Sequence, residues 1–287
     1  MERLLFGDNQ FFGVNHMSED KARAQAKRFQ DMNEIMRVLD AAYASGIRAF
    51  MCTTHERVGE IVQRTQLDPK RYEGLVFYPC MPYAHKYANA VTDFGMLGAV
   101  RNFVPDSGLV RTALRGGSAV ATQDVDALIR MLIDAEMSMF RGSNTPVIFL
   151  QNVVVDLLLG LGYYDAFATF AEHVADRYQA EAGFITMNTP RLLDALGMIG
   201  MENPIICSNI NKIGFRMSGG VDAYRAALTE RQFQPIAMSV YASGAIEPRE
   251  ALEWIAGLSQ VHSVVFGAST PSHIEATCEI ARDLALV

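Results

Sequence analysis

The chain is poor in the features that mark several large protein classes. It has only 4 cysteines in 287 residues. Cys52, Cys80, Cys207 and Cys278 lie far apart and form no CxxC pair, which excludes a disulfide framework and a zinc knuckle. Basic residues are outnumbered: 25 Lys+Arg against 32 Asp+Glu give a net charge of −7. No basic field exists to hold a phosphate backbone, so no nucleic-acid partner is expected. Long apolar runs are missing too. The best stretch, Val153–Leu161, is interrupted by Asp156 and Gly160, so no membrane partner is expected. The start, MERLLFGDNQ, has no apolar run behind a basic segment; with unpaired thiols this reads as a cytoplasmic protein. Neither HxH nor HExxH occurs, so no metal ligand is assigned and a divalent metal stays a minor alternative. What the chain does have is 50% hydrophobic residues, ample for a sizeable core, and no linker-like segment. Residues 1–287 read as one domain.

Short apolar runs of strand length alternate with helical patterns along the whole sequence. The runs are 3–6, 47–52, 75–78, 147–150, 183–187, 204–207, 235–239 and 263–266. Between the first two, Phe29, Met32, Ile35, Met36, Leu39 and Ala42 share one face at helical spacing, ending near Gly46. Eight strand–helix repeats predict an α/β fold, a single (β/α)8 TIM barrel. A doubly wound sheet also alternates, but no GxGxxG follows the first strand. After strand 3 comes a long loop and helical insertion. Its segment 83–117 is far longer than an ordinary strand-to-helix connection, and Gly95, Gly98, Gly108, Gly116 and Gly117 supply hinges. Part of it is expected to lie over the barrel mouth as a lid, with Tyr83, His85 and Lys86 facing the site. The duller alternative is a peripheral helix or a homo-oligomer contact made by Tyr87, Val91, Phe94 and Leu97.

Barrel chemistry is built at the carboxyl ends of the strands, which makes those residues the candidates. His55 and Glu56 after strand 2, Asp8 after strand 1 and Lys212 after strand 6 are the candidate catalytic groups. His titrates near neutrality, Asp8 can serve as a base, and Lys212 can hold an anion or form a Schiff base. Asn9, Gln10, His85, Lys86, Gln151, Asn188, Asn209 and Tyr241 are the candidate substrate contacts. Asn and Ser at such turns also cap helices without any ligand, and that reading stays open for each of them.

The turn after strand 8 is the most informative local signal. Gly267, Ala268, Ser269 and Thr270 lead into a helix that starts at Pro271, and Ser243 and Gly244 lie in the preceding loop. Backbone N–H groups at a helix start, with Ser and Thr hydroxyls, suit a phosphate or carboxylate. The same residues equally make a plain helix cap with Pro at the first helical position.

Two stretches resemble the aldo-keto reductase superfamily, a nicotinamide-using (β/α)8 barrel family. Residues 237–244, AMSVYASG, are similar to its strand-seven segment. Residues 264–275, VVFGASTPSHIE, are similar to its strand-eight cofactor-phosphate turn. More weakly, residues 38–50 are similar to its first helix and second strand. The resemblance implies the barrel and an anion-binding final turn. The family's reaction uses an Asp after strand 2, a Tyr beyond it, a Lys after strand 3 and a His after strand 4. Here Met51 or Cys52 stands in the Asp place, the following Thr54–Arg57 offer no Tyr, 77–80 end without Lys and 150–152 without His.

The expectation is therefore an enzyme acting on a small anionic, phosphorylated or carboxylated, metabolite. Its acid/base chemistry would be of isomerase, lyase or hydrolase type. Two alternatives stay open: an NAD(P)H-dependent aldo-keto reductase-like oxidoreductase with a non-standard proton relay, and a non-catalytic small-molecule-binding barrel. The cofactor is unassigned, with NADP the candidate that the resemblance brings.

Overall fold

The computed structural model describes residues 1–13, 19–83 and 125–287. Eight parallel strands close into a barrel in chain order: β1 (Leu4–Gly7), β2 (Ala49–Thr53), β3 (Val76–Met81), β4 (Val147–Leu150), β5 (Glu181–Thr186), β6 (Ile205–Asn209), β7 (Gln234–Met238) and β8 (Ser263–Phe266). β8 returns to pair with β1, with Leu5 beside Val265. The fold is a (β/α)8 barrel, as the alternation of the sequence implies.

Period-two alternation builds two cores from the same strands. Leu5, Met51, Cys80, Phe149, Ile185 and Cys207 point into the barrel. Their neighbours Phe6, Phe50, Phe77, Ile148, Phe184 and Ile206 point outward under the helices. The lower interior is closed by Tyr78 against Phe149, with ring centroids 6.1 Å apart. Gly183 makes room for this packing. It pairs with Phe149, and a Cβ there would come within 2.3 Å of the Phe149 ring.

The helices follow from local chemistry. Asp31 caps Met32–Ala44 by accepting the Asn33 N–H at 2.9 Å, and Ile35, Val38, Leu39 and Ala42 form its buried face. Two boundaries differ from expectation. The helix expected from Phe29 onward starts at Met32, because Asp31 caps it there, and a separate, almost wholly polar helix, Glu19–Arg28, precedes it. β3 runs three residues beyond Tyr78, through Pro79, which pairs with Cys52 although it has no N–H to give. The insertion between β3 and β4 contains the helix Val125–Met137. Apart from Tyr83, the expected lid lies outside the described residues.

Candidate functional site

A cavity of about 500 Å³ opens at the carboxyl end of the barrel. Its floor is the topmost interior layer, Met51, Cys80, Ile185, Cys207, Met238 and Val265. Burial raises the Cys80 thiol well above its ordinary value and raises Cys207 as well, so both are neutral thiols rather than nucleophiles at neutral pH.

Asp8 supplies the acid of this mouth. It follows β1, lines the cavity and is only 5% exposed. The Thr53 backbone N–H and Oγ1 both donate to its Oδ2, each at 2.7 Å. Desolvation outweighs those two bonds and pushes its pKa up to about 6. Cys52, Cys80 and Tyr83 feel its charge, which helps to raise the pKa of each. A carboxyl titrating there can give and take a proton near neutrality.

Around Asp8 stand three glutamines whose carbonyl oxygens are buried with no hydrogen-bond partner: Gln10, Gln25 and Gln151. Gln10 donates from Nε2 to the Gly7 carbonyl at 2.7 Å, which fixes the amide and turns Oε1 toward Gly267. A Cβ at Gly267 would lie 2.3 Å from that oxygen. Gln151 starts the helix after β4 and makes only backbone bonds, its N–H donating to the Met81 carbonyl at 2.7 Å. The opposite wall is the loop after β7. There Ser239, Ala242 and Ser243 take left-handed backbone angles, φ 53, 46 and 59, next to Gly244 at φ 92. Such angles cost a non-glycine residue about 1 kcal/mol each and gather at ligand walls. Tyr241 lines the same wall, donates to Thr277 Oγ1 at 3.4 Å, and is pushed up to about 12 by burial.

Of the residues singled out in the sequence, Asp8, Asn9, Gln10, Gln151, Tyr241, Ser243, Gly244 and Gly267 come together on this cavity. Others are placed elsewhere. His55 caps the helix Glu56–Leu67, its Nδ1 accepting the Arg57 N–H at 3.1 Å. It stacks on Phe12 at 4.3 Å, and desolvation lowers its pKa. Glu56 is exposed at the start of that helix. Lys212 sits in an exposed ion pair with Glu250 at 2.7 Å. Asn188 caps the helix Thr189–Met198. Asn209 is buried and donates to the Arg216 carbonyl at 3.0 Å, closing its own loop. In the final turn, Ser269 accepts from Gln25 at 3.0 Å and Thr270 caps the helix Pro271–Asp283 through the His273 N–H at 3.4 Å. Ala268 packs against the outer core. His85 and Lys86 lie outside the described residues.

Gln25 and Glu247 line the cavity without any signal in the sequence. Gln25 comes from a polar helix and reaches Ser269 across 244 residues of chain. Another residue the sequence did not single out is Glu136, which is fully buried and accepts from Thr54 Oγ1. The Tyr83 N–H lies 3.4 Å from the same carboxylate, so Glu136 ties the ends of β2 and β3 together. Among the described residues no group of three or more His, Cys, Asp or Glu could hold a metal ion, and no helix is long and apolar enough to cross a membrane.

No family model matches the chain, and no curated protein matches it in sequence. Solved structures do match. A protein described as an aldo-keto reductase from Pseudomonas aeruginosa superposes with a TM-score of 0.62 at 13% identity, covering 99% of this chain and 91% of its own. An aldo-keto reductase from Bacillus halodurans, in its holo form, gives 0.57 at 13% identity over 97% and 86%. An aldose reductase from Giardia lamblia gives 0.56 at 14% over 98% and 87%. These structures share the chain's (β/α)8 barrel fold.

Proposed function

We propose that the chain is an aldo-keto reductase-like oxidoreductase in which Asp8, rather than the family's Tyr, Lys and His, handles the proton. The likeness of nearly the whole barrel to that family supports carbonyl–alcohol chemistry; it lends nothing to an isomerase, lyase or hydrolase. The observation that carries the proposal is the buried Asp8 carboxyl on the cavity, bonded twice to the end of β2 and titrating near 6. Protonated Asp8 can hydrogen-bond a bound carbonyl oxygen and give it a proton, and the carboxylate then recovers a proton from water. Thr53 holds the carboxylate form in place during that exchange.

A nicotinamide cofactor supplies hydride in the family this barrel resembles. The described residues do not fit its phosphates. No Lys or Arg lines the cavity among them, Gln10 occupies the approach to Gly267, and Ser269 and Thr270 are engaged within the protein. No step is derived through that group. The same misfit favours a second reading, proton transfer without redox at the same Asp8.

The test is turnover of a panel of aldehydes and ketones with NADPH and NADH, wild type against Asp8→Asn. The proposal expects reduced nucleotide to be consumed and kcat to fall by about 100-fold or more in the variant. Consumption unchanged in Asp8→Asn removes Asp8 from the reaction. No binding or consumption of either nucleotide, with deuterium entering a ketone from D2O only in the wild type, replaces the proposal by the second reading.

A further inference from the structure

The helix Glu19–Arg28 reaches the barrel mouth and is built unlike its neighbours. Every other described α-helix carries buried side chains, whereas none of the side chains described for this one is buried. Its sequence, EDKARAQAKR, supports a helix from within. Ala22, Ala24 and Ala26 alternate with long polar residues of high helix propensity. Glu19 and Asp20 sit in the first turn and Lys27 and Arg28 in the last, the signs that answer the helix dipole. Arg23 adds an ion pair with Asp20 at 2.6 Å. Local chemistry thus shapes this segment, and burial contributes little to holding it on the barrel. Elements with few buried contacts are the ones that open most easily.

Two contacts hold it to the mouth. Gly13 ends the turn Asn9–Phe12 after β1 and is packed so closely that a Cβ there would lie 2.8 Å from the Ala22 carbonyl and 2.9 Å from the Ala26 methyl. Gln25 Nε2 donates to Ser269 Oγ, in the turn after β8, at 3.0 Å. The helix therefore bridges the loops that follow β1 and β8, and Asp8, Asn9 and Gln25 line one cavity. The chain that leaves the helix is fixed far more firmly. Phe29 is fully buried against Phe11, with ring centroids 5.1 Å apart, and the Arg57 guanidinium donates to the carbonyls of Phe29 and Gln30. At that end Arg28 also reaches Glu34 at 3.7 Å. We propose that Glu19–Arg28 is a strap, pivoting at Phe29 and latched by the Gln25–Ser269 bond, that lifts to admit a molecule to the cavity at Asp8. A molecule that touches Gln25 in the cavity favours the closed position. The strap governs access alone and does not depend on the reaction proposed at Asp8.

Amide exchange and thiol labelling of the whole protein, with no ligand present, test the strap. Cys80 on the cavity floor and Cys52 in the outer core are labelled with N-ethylmaleimide at alkaline pH and read separately by mass spectrometry. Ser269→Ala removes the acceptor of the latch and leaves Gln25 in place. Gly13→Ala wedges the helix off its seat. In the wild type the amides of Glu19–Arg28 are expected to exchange faster than those of Met32–Ala44. Each variant is expected to raise that exchange and the labelling of Cys80 by about fivefold, with Cys52 and Met32–Ala44 unchanged. Exchange in Glu19–Arg28 as slow as in Met32–Ala44 overturns the inference. Cys80 labelling that stays at the wild-type rate while the helix exchanges faster overturns it too, because the helix is then loose without being a gate. Cys52 labelling that rises in step with Cys80 replaces the strap by a general loosening of the barrel.

Discussion

Asp8 and Thr53 are joined across the first two strands by two hydrogen bonds to a single carboxylate oxygen, both 2.7 Å long. The carboxyl group therefore reaches the barrel mouth from β1 and is held against the end of β2. The family that the sequence resembles has an Asp at the end of β2, where this chain has Met51 and Cys52. Met51 instead lies on the cavity floor and Cys52 in the outer core.

Thr53→Val removes the hydroxyl donor and keeps the backbone one. A donor to a charged acceptor favours the ionised form, so its loss raises the Asp8 pKa further above 6, by about 1 unit. A pH–rate profile, or a carboxyl titration followed by NMR, reads this shift. An unchanged midpoint would mean that the hydroxyl does not support the carboxylate.

Asp8 also has a signature in stability. Its pKa is about 6 when folded against 3.8 for the free group, so folding favours the protonated form. Its contribution is fully present below pH 3.8 and is lost as the pH rises through about 6. Asp8→Asn keeps an acceptor for Thr53 and carries no charge. The variant is expected to gain on the wild type between pH 4 and 8, by up to about 3 kcal/mol from the shift of roughly two units. Urea unfolding at both pH values measures it, and a difference that does not vary with pH would contradict the assignment.

Much of this was legible in the sequence. β4 and β8 have the very bounds that their apolar runs mark, 147–150 and 263–266. The final turn and the candidate Asp8 are visible because the strand ends are visible. What was hidden depends on distant contacts. His55 looked like a catalytic base, but its Nδ1 serves as a helix cap and its ring is stacked on Phe12. The Gln10 amide lies against Gly267, a close approach that the local pattern of the final turn does not show. Gln25 and Glu247 sit in segments whose local pattern says only that they are polar.

Gly183→Ala tests the barrel interior. The new methyl group meets the Phe149 ring within the closed interior, and overpacking of that kind costs about 1–3 kcal/mol. Adding Phe149→Leu is expected to recover part of the loss, because the obstructing ring is gone. Additive losses in the double variant would show that the two positions do not press on each other.

Gly267→Ala tests the turn after β8 in the same way. The Cβ displaces the Gln10 carbonyl, so stability falls by about 1–2 kcal/mol, and Gln10→Ala in the same chain returns most of it. If the single variant is as stable as wild type, the Gln10 amide does not occupy that approach.

The central claim is that the mouth of this barrel holds a carboxyl group able to exchange a proton near neutrality. Chemical-shift titration of the side-chain carboxyl carbon of Asp8, assigned by its absence in Asp8→Asn, measures that property without any substrate. A midpoint near pH 6 is the predicted result. A midpoint near 3.8, the ordinary value for an aspartate, would contradict the account.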